Sequence, residues 1–320
     1  MGSCGCPPLR VSRKPCETRI PFVIDVFIVG GSVAGLSAGL LLGRCRRRVV
    51  ICDSGRPRNR FSRHMHGFLS REGIPPAGFL EISREQLAQF PGVQLFDGRV
   101  TAIEREGDGF RIHVDDNRRF RAPVVLLATG ILDELPDLPG IKELYGISVH
   151  HCPYCDGWEH RDEPIAIYGK GDTAVELAEE MPLWSHDLLY FSDGIALSPS
   201  ARDRLEAAHI GIVETGIRTL HGSDGCLKSI ELEDGTRIER RSMFFVSPQR
   251  QNTDLAKKLG CEIDAGFVTC DENARTCVPG LYAAGNTSTG LQLAIIAAAE
   301  GAKAAHVINV ELLERATRKR

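Results

Sequence analysis

The stretch Asp25-Val26-Phe27-Ile28-Val29 is short and largely apolar, and it runs straight into Gly30-Gly31-Ser32-Val33-Ala34-Gly35. A helical stretch follows from Leu36 to about Arg44, and a second apolar run, Val49-Val50-Ile51-Cys52-Asp53, ends in an acid. Buried parallel strands read as continuous apolar runs, and parallel neighbours need a crossover such as a helix between them. This order therefore predicts a βαβ unit of the dinucleotide-binding kind. Gly30 permits the tight turn, and Gly35 lets the helix pack on the strand. Ser32 stands where the pattern has its middle glycine, and its small side chain leaves room for a phosphate or offers it a hydroxyl. The helix N-terminus faces the pyrophosphate, and Asp53 holds a ribose hydroxyl. A glycine turn alone is a weak signal. Here strand, turn, helix, strand and acid all agree.

A second unit of the same type lies far downstream. Ile165-Ala166-Ile167-Tyr168 reads as a strand, Gly169-Lys170-Gly171-Asp172-Thr173-Ala174 as a glycine turn opening a helix Ala174–Met181, and Asp187–Phe191 as the next strand. A chain of 320 residues has room for two cores. The fold expected is α/β, with two Rossmann-like, three-layer nucleotide-binding domains, the second inserted into the first. Pro136 with Pro139-Gly140, and Ser247-Pro248, mark the hinges. Residues 22–136 and 248–320 form one domain, 137–247 the other, and 1–21 a tail. Within the first domain, 77–90 reads as a helix, 93–121 as a small β-meander, and Val124–Ala128 as a buried strand ending at Thr129-Gly130. A strand near Met243–Val246 precedes the second hinge, and a helix from about Leu291 to Leu313 closes the chain. Arg56, Arg58, Arg60 and Arg63 either clasp the nucleotide or sit in a solvated loop. Ser192 and Asp193 follow the strand where NADPH needs basic side chains for its 2′-phosphate. An acid there disfavours that phosphate and suits a free ribose hydroxyl, or no ligand.

Between the two units lies His151-Cys152-Pro153-Tyr154-Cys155-Asp156-Gly157-Trp158-Glu159. Cysteines at this spacing span one helical turn, so they close a small disulfide or open to a dithiol. Backbone N–H groups at a helix start favour the thiolate, which is the attacking species. Asp156 is placed to accept or return a cysteine's proton. Half a zinc site is the bland alternative. It wants a second ligand pair downstream, and none follows at ligand spacing. His150, His151 and His160 would make a crowded quartet, so the reading is redox, with no metal. The histidines either deprotonate a substrate or merely flank a surface loop. A net charge of −3 gives no electrostatic case for nucleic acid or an anionic membrane. With no apolar export signal and eleven cysteines, the expected location is a reducing cytoplasm. Cys4, Cys6 and Cys16 are read as incidental tail thiols.

These pieces together resemble the low-molecular-weight thioredoxin reductase family of flavoproteins, from about residue 24 to the end. The resemblance implies FAD held by Gly30, Gly31, Ser32, Ala34, Gly35 and Asp53, lined by Thr129 and Gly130, and met by the segment Gly285-Asn286. Asn286 stands where the family has an Asp bonding the ribityl chain. Gln292 would begin a helix aimed at the flavin pyrimidine ring, where a positive dipole end stabilises the reduced anion. Cys155 would face the flavin, Cys152 would exchange with substrate, Asp156 matches the family's acid, and a homodimer is expected. The chain departs at Phe191-Ser192-Asp193, where reductases carry a His-Arg-Arg run for NADPH. It is similar there, and in the Pro-Tyr filling of its Cys pair, to the branch that oxidises dithiols in gliotoxin, holomycin and romidepsin biosynthesis. The expectation is a dithiol oxidase acting on a small-molecule or peptide dithiol with oxygen as acceptor. NADPH is disfavoured and NADH left open. The alternatives are an NAD(P)H-dependent thioredoxin reductase with a thioredoxin-like partner, and a flavin-binding protein without catalysis.

Overall fold

The computed structural model describes residues 23–318 apart from residue 116, so the tail with Cys4, Cys6 and Cys16 lies outside the described residues. The first part of the chain forms β1 (Val26–Val29), α1 (Val33–Arg44), β2 (Val49–Asp53), α2 (Pro76–Leu87) and β3 (Val93–Asp97). A meander follows, β4 (Val100–Glu106), β5 (Gly109–Val114) and β6 (Arg119–Ala122), then β7 (Val125–Leu127) and β8 (Ile131–Asp133). The middle comprises α3 (Ile141–Leu144), β9 (Val149–His150), α4 (Pro153–Asp156), β10 (Ile165–Tyr168), α5 (Asp172–Glu180), β11 (Leu188–Phe191), α6 (Pro199–Ala207) and β12 (Gly211–Val213). A second meander, β13 (Ile217–Ser223), β14 (Cys226–Leu232) and β15 (Arg237–Glu239), leads to β16 (Ser242–Phe245). The chain returns through β17 (Gln249–Gln251), α7 (Leu255–Lys258), β18 (Ile263–Asp264), β19 (Phe267–Val268), β20 (Leu281–Ala283) and α8 (Ala294–Arg318).

Two five-stranded sheets result, in the orders β20-β7-β1-β2-β3 and β12-β11-β10-β16-β9. Every pairing in both is parallel. The period-two alternation of strand side chains splits each sheet between two cores. Phe27, Val29, Val50 and Leu127 pack on Ile103, Phe110 and Ile112 of the first meander. Their neighbours Val26, Ile28, Ile51 and Leu126 pack on Leu36 and Leu42 of α1 and Ala304 and Ile308 of α8. The second sheet repeats the scheme. Ala166, Tyr168 and Phe191 meet Leu220, Leu227 and Ile230 of the second meander, while Ile165, Ile167 and Tyr190 meet Val175 of α5 and Leu205 of α6. Each unit is therefore meander, parallel sheet and helices in three Rossmann-like layers. The antiparallel pair β8–β17 carries the chain out of the first unit and back.

Three boundaries differ from the sequence expectation. Residues 93–97 do not open the meander but pair with β2 as the parallel edge strand. The helix expected over 77–90 spans Pro76–Leu87. The last helix begins at Ala294, so Gln292 precedes it. No helix among the described residues is long and apolar enough to cross a membrane.

Candidate active site

The carboxyl ends of β1, β2 and β7 open into a cavity of about 910 Å³, where open α/β sheets bind their ligands. Gly30, Gly31, Ser32, Ala34, Asp53, Thr129, Gly130, Asn286 and Gln292 line it together with Cys152, Cys155, Asp156 and His151. Gly30 adopts φ +107°, and a Cβ there would lie 2.2 Å from the Ala128 carbonyl oxygen. Ser32 sits at the N-cap of α1, and its hydroxyl makes no capping bond. The first-turn N–H groups are thus left without a side-chain acceptor, facing the cavity.

Gly35 and Gly285 stand behind the wall rather than on it. Gly285, at φ +67°, is buried against Ala34 and donates its N–H to Glu300 Oε2 at 2.9 Å. That contact fixes the 3-10 turn Gly285–Thr287 carrying Asn286. Burial pushes the Glu300 pKa up, the Gly285 N–H opposing. Thr287 Oγ1 in turn accepts from the Gly130 N–H at 2.8 Å. Asp53 pairs with Arg84 of α2 at 2.6 Å, a partner 31 residues on that no local pattern announces.

Cys152 and Cys155 form a disulfide with Cα atoms 5.3 Å apart. Cys152 caps the single turn α4, with Pro153 at its first position, and accepts the Cys155 N–H at 3.2 Å. His151 lies beside the pair in a network that sequence reasoning missed. Arg58 ion-pairs with Asp133 and donates to Gln292 Oε1 and, at 2.9 Å, to His151 Nε2. Tyr145 Oη lies 3.1 Å from His151 Nδ1 and donates to Asp133 Oδ2 at 3.2 Å. A guanidinium only donates, so His151 Nε2 accepts and Nδ1 carries the proton. Burial, reinforced by Arg58 and opposed by Asp133, lowers the His151 pKa to about 4. His151 is therefore neutral near pH 7, and the lone pair a base would use is already taken. Burial alone would raise the Asp133 pKa, but the Arg58 hydrogen bond and the charges around it hold it below the usual value.

Of the four loop arginines, only Arg58 enters this network. Gln292 does not start a helix; its side chain bonds Arg58 and Gln249. His150 is 4% exposed and His160 lies 3.0 Å from it, so these are not histidines on a surface loop. In the second unit Gly171 opens α5 at φ +77°. The carboxylate of Asp193 is engaged by Tyr168 Oη at 2.9 Å, Lys170 Nζ at 3.2 Å and the Ile217 N–H at 3.2 Å.

Two nucleotide-type folds with a redox-type cysteine pair between them define a flavin-dependent disulfide oxidoreductase. The chain belongs to the pyridine nucleotide-disulphide oxidoreductase family, whose model matches residues 24–301. Members are FAD flavoproteins, and this chain is accordingly an oxidoreductase acting on sulfur groups. A protein of Arthroderma benhamiae named "Probable thioredoxin reductase" is 31% identical, over 95% of this chain and 84% of its own length. The crystal structure of TrxB from Bacillus anthracis superposes with a TM-score of 0.88 at 37% identity, covering 91% of this chain and 99% of that one. The crystal structure of HlmI superposes with a TM-score of 0.89 at 36% identity, covering 92% and 94%. The cavity suits a dinucleotide, at the upper end of the roughly 300–1,000 Å³ usual for ligand pockets, with a glycine cradle and open helix N-terminus where a pyrophosphate belongs.

Proposed function

We propose that this chain is an FAD-dependent dithiol oxidase that closes a disulfide in a small-molecule or peptide dithiol, with oxygen as final acceptor and without NADPH. The observation that carries this reading is Asp193. The place where an NADPH 2′-phosphate needs cations holds a carboxylate, and that carboxylate is already bonded to Tyr168, Lys170 and the Ile217 N–H. A 2′-phosphate is repelled by that carboxylate, whose Oδ2 is taken by Tyr168 and Lys170 and whose Oδ1 accepts the Ile217 N–H.

In this mechanism Gly30, Gly31, Ser32, Ala34 and Asp53 hold the pyrophosphate and ribose, Thr129, Gly130, Asn286 and Gln292 line the rest, and Gly35 and Gly285 set the backbone behind them. Bound FAD supplies the two-electron acceptor. A substrate thiolate attacks Cys152, the S–S bond breaks, and Cys155 leaves as thiolate; the second substrate thiolate then resolves the mixed disulfide at Cys152. Asp156 takes or returns the proton. His151, with its lone pair on Arg58, orients the wall beside the sulfurs. The working form is a cytoplasmic homodimer, which would cover Ile295, Val310 and Leu313, left exposed on α8.

The second reading is an NAD(P)H-dependent thioredoxin-disulfide reductase, favoured by the glycine turn at Gly171 and the name of the Arthroderma relative. Anaerobic mixing with NADH or NADPH separates the two. The oxidase leaves its flavin colour unchanged with either, and consumes oxygen with a dithiol peptide while releasing peroxide. Rapid bleaching by a pyridine nucleotide refutes the oxidase reading.

A further inference from the structure

Four side chains line up from the sulfur pair to the surface. Asp156 follows Cys155 and lines the same cavity. Its Oδ2 lies 3.4 Å from His150 Nδ1. His150 Nε2 lies 3.0 Å from His160 Nε2, and His160 Nδ1 lies 3.3 Å from Glu163 Oε2. Side-chain exposure is 20% at Asp156, 4% at His150, 13% at His160 and 45% at Glu163, so the string is closed in the middle and open at both ends. Phe244 closes the middle, its ring 5.4 Å from that of His150 and 6.2 Å from that of His160.

Two of the string's contacts are hydrogen bonds, His150 to His160 and His160 to Glu163, and the 3.4 Å approach of His150 to Asp156 is the looser link. Two neutral imidazoles bring one N–H each and two carboxylates bring none, so both bonds are filled and one lone pair of His150 is left facing Asp156. Burial and the facing His150 lower the His160 pKa, against Glu163 and Asp156, which favour keeping a proton, so the string rests with neutral rings. Asp156, Glu163 and, beyond His150, His151 are the titratable groups facing the two rings. A proton that arrives at Asp156 fills the gap at His150 and moves on by tautomer exchange.

We propose that Asp156, His150, His160 and Glu163 form a proton relay between the redox sulfurs and solvent. The proposal rests on sulfur–flavin chemistry at Cys152 and Cys155, but not on oxygen being the final acceptor. When the Cys152–Cys155 dithiol returns to the disulfide, two S–H bonds break and one S–S bond forms. Two electrons and one proton go to the bound flavin. The other proton enters at Asp156, passes through His150 and His160, and one proton leaves at Glu163. His150 and His160 touch neither substrate nor sulfur, so they act through Asp156.

The test is anaerobic reduction of the holoenzyme by dithiothreitol, followed as flavin bleaching in H₂O and D₂O. His160→Gln keeps a hydrogen-bonding side chain but cannot exchange tautomers. Its bleaching is expected to slow at least about tenfold, at the low end of proton-transfer catalysis, and to recover when imidazole is added. Glu163→Gln, at the wet end, is expected to slow it less and to recover with any buffer base. The rate at which iodoacetamide alkylates the reduced, FAD-stripped protein should match wild type in both variants. Wild-type bleaching in His160→Gln overturns the relay. So does slowing that imidazole does not rescue, or a changed alkylation rate, because either marks a structural role. If dithiothreitol fails to bleach the wild-type flavin, the sulfur–flavin reading itself fails, a different outcome from loss of the relay.

Discussion

Lowering the pH should weaken this fold through His151, by an amount that follows from its surroundings. The ring is buried among Arg58, Tyr145 and Asp133, and its pKa falls from 6.5 to about 4. With the folded value below the unfolded one, the unfolded chain binds the proton more readily, so acid favours unfolding. The contribution is fully present above the unfolded value and is lost as pH falls from about 6.5 towards 4. A tenfold difference in proton affinity between the folded and unfolded chain is worth about 1.36 kcal/mol, so between about pH 7.5 and about pH 4.5 the loss from this one group is about 2.5 kcal/mol. Asp133 does not contaminate that window, because its pKa lies below 3.8. His160, whose pKa burial lowers, is common to wild type and a His151 variant and cancels in the comparison. The measurement is urea unfolding of wild type and His151→Asn at both pH values. Asparagine offers Arg58 an acceptor and Tyr145 a donor, and cannot take the proton. Wild type should lose about 2.5 kcal/mol more than His151→Asn on acidification. Equal losses in the two proteins would refute the claim that His151 is held neutral by burial beside Arg58.

Two further predictions concern the frame of the cavity. Arg58→Met removes one partner of an ion pair whose side chains are 15% and 5% exposed, and should cost about 3–5 kcal/mol in urea unfolding, with Asp133→Asn in the same chain recovering part of it; a loss below about 1 kcal/mol would place the pair in the weak surface class. Gly30→Ala puts a methyl 2.2 Å from the Ala128 carbonyl oxygen at φ +107°, and should yield protein with little bound flavin by its visible absorbance; full flavin content would show that the turn is not the cradle.

What could be read from the chain is what neighbours in sequence decide. The continuous apolar runs Val26–Val29 and Ile165–Tyr168 announce both sheets, because each strand carries its two buried faces in its own residues. The turn at Gly30 and the spacing of Cys152 and Cys155 are equally local. Arg58 is not. Asp133 is 75 residues away, His151 is 93 and Gln292 is 234, so nothing in the run Arg56 to Arg63 distinguishes the one cation that is buried from three that are not part of the network. The same distance hid the fate of Gln292. Its side chain is drawn into that network, and the helix expected from about Leu291 begins at Ala294. His150 and His160 left two readings open because their burial is imposed by Phe244 of a strand far along the chain.

The contacts between the two units bear on the direction of electron flow. The segment that carries Arg58 also packs Phe61 against Tyr145, ring centroids 5.6 Å apart and tilted 59°, sends Arg63 to the Asp224 carbonyl at 2.7 Å, and brings His66 within 3.6 Å of Glu159. Taken singly, the exposed contacts contribute about 0–1 kcal/mol. Of the buried network, the Arg58–Asp133 ion pair lies within the first unit, and what crosses to the second is the Arg58 hydrogen bond to His151 and the Tyr145 hydrogen bond to Asp133, each to a charged group and so contributing about 1.5–3 kcal/mol. Together they hold the Cys152–Cys155 pair against the flavin cavity. An enzyme that only passes electrons from a dithiol through these sulfurs to the flavin has no need to break them. One fed by a nicotinamide at the Gly171 turn would have to bring that ring to the same cavity, either past the disulfide or by undoing the Arg58 bridge. On the proposed oxidase reading, the contacts of Asp193 and the clasp around His151 are separate features of the two units that leave the sulfurs where they are.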